Sequence, residues 1–407
     1  MNQVNVFTAK PGMVLARHVK NKDGRHLMDA GTHLGEREIR ILKMWGVLEI
    51  TVRPGSGEAA EEIPAPSDGK INSFLAKWFS KNTLKDAVVK EIVLLAKDWY
   101  ETHPGSLETL LGRIRASRES QKGDAGGESP DLPGLLSDNV KLPALPQIYS
   151  EINAATKDPK CSGKDIADIV SKDTGLSATL LKIINSAYYG FPEKIDSLAY
   201  AAMALGTRQI CSLAMGITVI NYFKGMPGAA LDMEAFWRHS VGCGIMARNL
   251  ATHVRGVNSE RVFIGGLLHD MGRLVFLNHF PGVSGTVMAQ AGKLNLSLHR
   301  IEPRYFGMGH AEFGSRLAQV WNFSPGISAL IRDHHLEFET PPDKEVAMVY
   351  FSNWLVSALG IGFSGNTVLP KLNRRAWEAM EISPSALVPV IRQVDRQITE
   401  AVRFFYE

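Results

Sequence analysis

The stretch Phe-Ile-Gly-Gly-Leu-Leu-His-Asp-Met-Gly-Arg-Leu-Val at 263–275 constrains the fold of this chain more than any other. It sets two adjacent metal-capable side chains, His269 and Asp270, inside apolar sequence. Consecutive helical residues differ in direction by roughly 100°, so both can flank one site only if a helix end is partly buried. Leu267, Leu268, Leu274 and Val275 supply that burial. A neutral imidazole nitrogen beside a carboxylate oxygen suits iron, manganese, zinc or nickel better than calcium, which prefers oxygen shells. Two ligands do not make a site, so further histidines must be brought to this helix end.

Candidates stand in helical contexts elsewhere. His239 follows Phe236-Trp237-Arg238 on a segment whose Val241, Ile245 and Leu250 supply apolar contacts. His310 follows Gly307-Met308-Gly309, and His334-His335 closes an apolar helix containing Ile327, Leu330 and Ile331. With His269 and Asp270, the six residues occupy four separated segments and meet the donor requirements of a site for one or two divalent transition metals. Each histidine alone is more often a hydrogen-bonded core or surface residue than a ligand.

At 407 residues the chain exceeds the size at which one hydrophobic core stops growing, so two or three domains are expected. Lysine plus arginine number 45 against 42 acids, a net charge of +3 that gives no electrostatic reason to expect nucleic acid. Cys161, Cys211 and Cys243 are odd in number and far apart, which suggests neither a disulfide framework nor a thiolate zinc site and fits a reducing cytoplasm. The N-terminus lacks the basic start and apolar run of a signal peptide. The apolar run Cys211–Phe223 is too short to span a bilayer and reads as a core helix. No membrane association is expected.

In chain order, residues 1–55 read as a small α+β module. Val14-Leu15-Ala16 and Leu48–Val52 have strand character, Asn21–Gly24 turn chemistry, and Leu34, Ile39, Leu42 and Trp45 near-helical spacing. Residues 56–70 form a linker, 71–115 a helical spacer, and 116–138, with Lys122–Pro130 at its centre, a flexible tether too polar to offset chain entropy. From 139 to 341 the pattern is that of an all-helical bundle of short elements, and 342–407 is a helical C-terminal extension. The fold class expected is mainly α.

Leu142-Pro143-Ala144-Leu145-Pro146, Leu180–Gly190 and Ala201–Gly206, followed in order by Trp237-Arg238-His239-Ser240, the His269-Asp270 stretch and Ile331–His335, resemble an HDOD domain. This bacterial output module is related to the HD-domain phosphohydrolases, and the resemblance covers about half of the chain. In the N-terminal module, Pro11–Ala16, Gly24–Leu27, Ala30-Gly31-Thr32 and Leu42–Val47 resemble the region preceding the catalytic domain of some HD-GYP phosphodiesterases. By this resemblance, His239, His269, Asp270, His310, His334 and His335 occupy positions that bind metal in catalytically competent HD-GYP relatives.

The sequence also departs from those relatives. Asp173-Thr174 stands where Asp-Pro is common. Asn353 is the nearest counterpart of a ligand aspartate, and an amide is a weaker, neutral donor. Arg273, the candidate catalytic residue, replaces a lysine, and its planar fork does not reproduce an ammonium point charge. No Gly-Tyr-Pro follows His334-His335. These departures favour a non-catalytic signal-transduction protein acting through contacts with other signalling proteins. The alternative is a metal-dependent phosphohydrolase acting on a nucleotide or cyclic dinucleotide, and a third reading makes the histidines core residues without metal.

Overall fold

The computed structural model describes residues 2–53 (apart from 7, 8, 10, 11, 21–25, 36, 37, 40, 43–46 and 48), 69–119, 132, 146–224 (apart from 159, 187, 188 and 192) and 231–406. They belong to two compact units, Met1–Ala76 with Ser383–Pro389, and Lys77–Ile382 with Val390–Glu407.

In the first unit β1 (Asn2–Asn5), β2 (Val19–Lys20), β3 (His26–Met28) and β4 (Glu49–Val52) form two antiparallel pairs, β1 with β4 and β2 with β3. Alternation along β4 sends Ile50 and Val52 into a core shared with Leu15, Leu34 and Leu42, while Glu49 stays outside. The strand expected at the end of the module is therefore present. Its partner, Asn2–Asn5, carries no apolar alternation that would have announced it. Val14 and Leu15 make only isolated bridges, to His33 and Val52. Glu38, Ile39, Ile41 and Leu42 of the expected helix are helical, whereas the turn at 21–24 and the linker through Asp68 lie outside the described residues. So does the tether, apart from Ala116–Glu119 at a helix end and Leu132.

Among the described residues the remaining elements are helices. After α1 (Lys70–Trp78) come α2 (Ala87–Thr102), α3 (Ser106–Arg118), α4 (Gln147–Lys157), α5 (Gly163–Val170), α6 (Thr174–Ile184), α7 (Leu198–Leu205) and α8 (Thr207–Lys224). The chain continues through α9 (Met233–Ala251), α10 (Ser259–Leu268), α11 (Met271–His279), α12 (Pro281–Leu294), α13 (Leu298–Phe306), α14 (His310–Val320) and α15 (Pro325–Asp333). It closes with α16 (Lys344–Ala358), α17 (Arg374–Met380) and α18 (Leu387–Tyr406). The caps are written in the sequence. Asp232, Asn258 and Asp343 accept from first-turn backbone N–H groups of α9, α10 and α16, satisfying donors that a helix start otherwise leaves open. Asp173 does the same for α6 from Leu176 at 2.9 Å, so this helix starts without the proline common there.

The second unit is centred on α9, α10 and α16, which pack against one another. α16 is apolar on every face, as a helix surrounded by others must be, and Val346–Val356 is buried throughout. The segment expected as a C-terminal extension thus contributes a central helix. Glycines set how closely the site-bearing helices approach. A Cβ at Gly266 would come within 2.8 Å of the backbone at Cys243 and Gly244 on α9, and one at Gly272 within 2.2 Å of the His310 carbonyl oxygen. Among the described residues no single helix is long and apolar enough to cross a membrane.

Candidate functional site

His269 and Asp270 sit at the break between α10 and α11, His269 closing the first helix and Asp270 preceding the second. The break lets two consecutive side chains reach one point, which a continuous helix would prevent. Around them α9 supplies His239, the first residue of α14 is His310, α15 ends at His334, α13 supplies Glu302 and α16 supplies Asn353. The Asp270 carboxylate is the hub. Its oxygens lie 3.2 Å from His269 Nε2, 2.9 Å from His310 Nε2, 3.6 Å from His334 Nε2 and 4.0 Å from His239 Nε2. His335 is half-buried beside them, with its ring stacked on His299 at 4.3 Å and edge-on to His310 at 5.0 Å.

Two of these rings have their tautomer set by the backbone. His269 Nδ1 donates to the Gly266 carbonyl at 2.7 Å and His334 Nδ1 to the Ile331 carbonyl at 2.6 Å. A carbonyl only accepts, so in each neutral ring Nε2 carries the lone pair and turns it toward Asp270. Acceptors then face acceptors in a dry site. Among the described residues His269 Nε2 is buried without a directed hydrogen bond, an arrangement that costs free energy unless a proton or cation lies beside it, whereas Asp270 Oδ1 has His310 Nε2 at 2.9 Å. The donor set, with ring nitrogens oriented by second hydrogen bonds, fits a divalent transition metal. Asp270, His310, His334 and His335 form one group able to hold an ion, and His239, Cys243 and His269 another. Burial pushes the Cys243 thiol well up, which keeps it protonated and a poor ligand. His239 Nε2 donates to Asn353 Oδ1 at 3.1 Å and must give up that bond before it can ligate.

Arg273 brings the opposing charge. It is 3 % exposed and donates through Nη1 to Asp270 Oδ2 at 3.0 Å and the Ser364 carbonyl at 2.9 Å, and through Nε to Glu302 Oε1 at 3.3 Å. Its Nη2 lies 3.1 Å from both ring nitrogens of His310; one donor cannot lie along both in-plane directions, so this is a contact with the ring rather than a second hydrogen bond. Glu302 Oε2 accepts from His310 Nδ1 at 2.5 Å and from the His310 backbone N–H at 3.0 Å.

The charge states follow from this packing. Burial opposes ionisation of Asp270 and Glu302, but Arg273 and the histidines outweigh it, holding Asp270 well below the usual carboxylate range and Glu302 down at about 2. Burial and Arg273 likewise oppose protonation of His310, yet Glu302 and Asp270 prevail and raise its pKa. Burial lowers His239 and His334 to about 3, and His335 well below the ordinary imidazole value.

Of the residues singled out in the sequence, His239, His269, Asp270, Arg273, His310 and His334 meet at one buried point, with His335 beside it. Glu302 was missed. Its signal was an acid at position 302 on the apolar line running from Leu298 to Phe306, where a solvated residue would not sit.

A bundle of short helices that gathers histidines around a His-Asp helix junction is an HD-like all-helical domain. Residues 142–337, just under half of this chain, match the model of the HDOD domain, and the chain carries an HDOD domain there. An HDOD domain protein with unknown function from Geobacter sulfurreducens is 25% identical, with a TM-score of 0.54 over 73% of this chain and 98% of that one. A protein of Shewanella amazonensis SB2B that carries the provisional name of phosphohydrolase shares the fold, with a TM-score of 0.55 at 21% identity over 68% of this chain and 99% of its own. An uncharacterized protein of Treponema pallidum (strain Nichols) is 26% identical over 237 residues, which is 57% of this chain and 45% of that relative. The match thus spans less than half of the curated relative's length.

Proposed function

We propose that this chain is a bacterial, cytoplasmic signal-transduction protein whose HDOD domain acts through contacts with other signalling proteins and does not cleave phosphodiesters. The observation that carries this reading is the dry closure of the centre around Arg273. His269, Asp270, His310 and His334 are at most 1 % exposed, and the guanidinium is engaged by Asp270, Glu302 and the Ser364 carbonyl. Phosphoryl transfer needs a positioned substrate, an activated water and a free cation for the developing charge. Here the cation is committed to neutralising carboxylates, and the groups that would activate water face one another. The absence of Gly-Tyr-Pro after His335 agrees.

A divalent iron, manganese, nickel or zinc ion would be held by Asp270, His310, His334 and His335, with His269 beside them and His239 joining once it releases Asn353. When bound, such an ion supplies Lewis acidity and lowers the pKa of a coordinated water. The role assigned to it here is structural: it would separate the facing lone pairs and balance Asp270. One observation favours the alternative of a metal-dependent phosphohydrolase, namely that His335 lies both beside this centre and on the wall of a cavity of about 950 Å³.

The two readings separate in one experiment. Purified protein is analysed for metal and assayed anaerobically with manganese and with ferrous iron on cyclic di-GMP and linear dinucleotides. The expected result is bound metal that is lost on replacing His269 and Asp270 with alanine, and no turnover. Multiple turnovers that vanish in His269→Ala would reject the non-catalytic reading.

A further inference from the structure

The cavity beside the centre is built by parts of the chain far apart in sequence. Its wall takes residues 296–304 from the start of α13, residues 335–339 after α15, Tyr350 of α16, residues 368–374 and Lys81. The HDOD domain ends at 337, so segments on both sides of it complete this cleft.

Its charge is one-sided. Lys81, Arg300, Arg304, Lys371 and Arg374 line it, against the two acids Glu337 and Glu339. Arg300 is paired with Glu337, and Arg374 with Glu378 at 2.9 Å. Arg304 and Lys371 are exposed and make no ion pair among the described residues. At the inner end His299 Nδ1 and His335 Nε2 are buried polar atoms with no hydrogen-bond partner among the described residues. The α13 N-terminus also opens here, and the side chain of its N-cap residue, Ser297, makes no capping bond. Asn366 Oδ1 accepts from the first N–H group of this helix, that of Leu298, at 2.9 Å, and the partial positive charge of the helix start favours an anion. The half-buried ring of Phe338, edge-on to Tyr350 at 5.5 Å, offers a flat apolar wall.

We infer that this cleft is a binding site for a phosphate-bearing small molecule of nucleotide size, held by Arg304, Lys371 and the inner imidazoles and not cleaved. Five cations over two acids set the charge of the ligand, and a volume of about 950 Å³ lies within the range of small-molecule sites. Only the statement that the ligand is not cleaved rests on the function proposed above. The inner end of the cleft touches the centre through His335, so a ligand seated there would bear on the α15 terminus that carries His334.

The test is calorimetric titration of the full chain with inorganic pyrophosphate and with ADP at constant low ionic strength. Saturable binding is expected, weakened about tenfold or more by the double substitution Arg304→Gln with Lys371→Gln, since two charges are removed from contact distance of the phosphates. Both positions are exposed, so the fold should be retained, and the melting curve of the double variant checks this. Arg208→Gln, an equally exposed change in the separate cavity of about 1140 Å³, should bind like the parent. Failure of both probes to bind, or the same loss in Arg208→Gln as in the double variant, would overturn the assignment. Binding accompanied by metal-dependent turnover would leave the cleft standing and retire the non-catalytic reading, so the two conclusions fail separately.

Discussion

The centre around Asp270 and the cleft next to it use the same residue types to opposite ends. In the centre, Arg273, Asp270, Glu302 and His310 are dry and each charge is answered by another within 3.3 Å. In the cleft, Arg304 and Lys371 are exposed and make no ion pair among the described residues. A charge removed from water is stable only when paired, and its pKa and geometry are then dictated by its partner. An exposed charge keeps its hydration at little cost and remains available to a ligand. The centre is thus a closed charge network able to hold a metal, and the cleft is the place where, on the inference above, something from outside is recognised.

The sharpest way to break this comparison is to remove one charge from each side. Glu302→Ala should destabilise the second unit by about 3–5 kcal/mol, because Arg273 and His310 lose a buried counter-charge. Arg304→Gln should stay within about 0.5 kcal/mol of the parent. Urea unfolding followed by circular dichroism measures both, and equal effects would erase the distinction. Next in size, Gly272→Ala should cost on the order of 1–3 kcal/mol as an overpacked contact, since its Cβ would meet the His310 carbonyl. It should also reduce bound metal by moving α11 from α14. An alanine variant with parental metal content and melting temperature would show that this close approach does not set the centre.

Acidification probes the same contrast with a smaller effect. His239 and His334 titrate near 3 when folded, against 6.5 ordinarily. An unfolded chain therefore binds protons below about pH 6.5 that the native centre refuses, and their stabilising contribution, complete above that pH, is lost as pH falls toward 3. Asp270 and Glu302 add a loss of the same sign below the ordinary carboxylate range, while the raised pKa of His310 acts the other way. Thermal melts in chelator should fall between pH 6.5 and 4, and less steeply in His334→Gln. A melting temperature that is flat over that range would contradict the buried neutral imidazoles. The smallest expected effect is that of salt on the fold. The screening length shrinks from about 10 Å at 0.1 M to about 3 Å at 1 M, so pyrophosphate binding in the cleft should weaken several-fold while the urea midpoint barely moves. A urea midpoint that falls in step with binding would mean that the pairs around Arg273 are open to solvent.

Much of the centre could be read from the chain. Five histidines and an aspartate stood out by residue type in apolar helical settings and, as a set, by the resemblance to HD-domain hydrolases, while the helices that carry them were legible from apolar spacing. Glu302 was harder, because a single acid on an apolar stripe matters only once its partner, eight residues on, is seen to fold back against it. Arg273 was visible as a candidate catalytic cation but its partners were not, because they come from α13, the α11 start and the loop carrying Ser364.

What this sequence determined by itself is local: the helix caps at Asp232, Asn258 and Asp343, the periodicity of the bundle, and the adjacent His269-Asp270 pair that no continuous helix could aim at one point. Only the tertiary structure decided where those pieces meet. It closed the centre through contacts between Gly266 and α9 and between Gly272 and α14, drew α16 into the core, and assembled a basic cleft from Lys81, residues 296–304, 335–339 and 368–374. Spacing along a helix reports which side chains share a face, but which faces meet depends on packing across the whole unit, and that information is not carried by any one stretch of sequence.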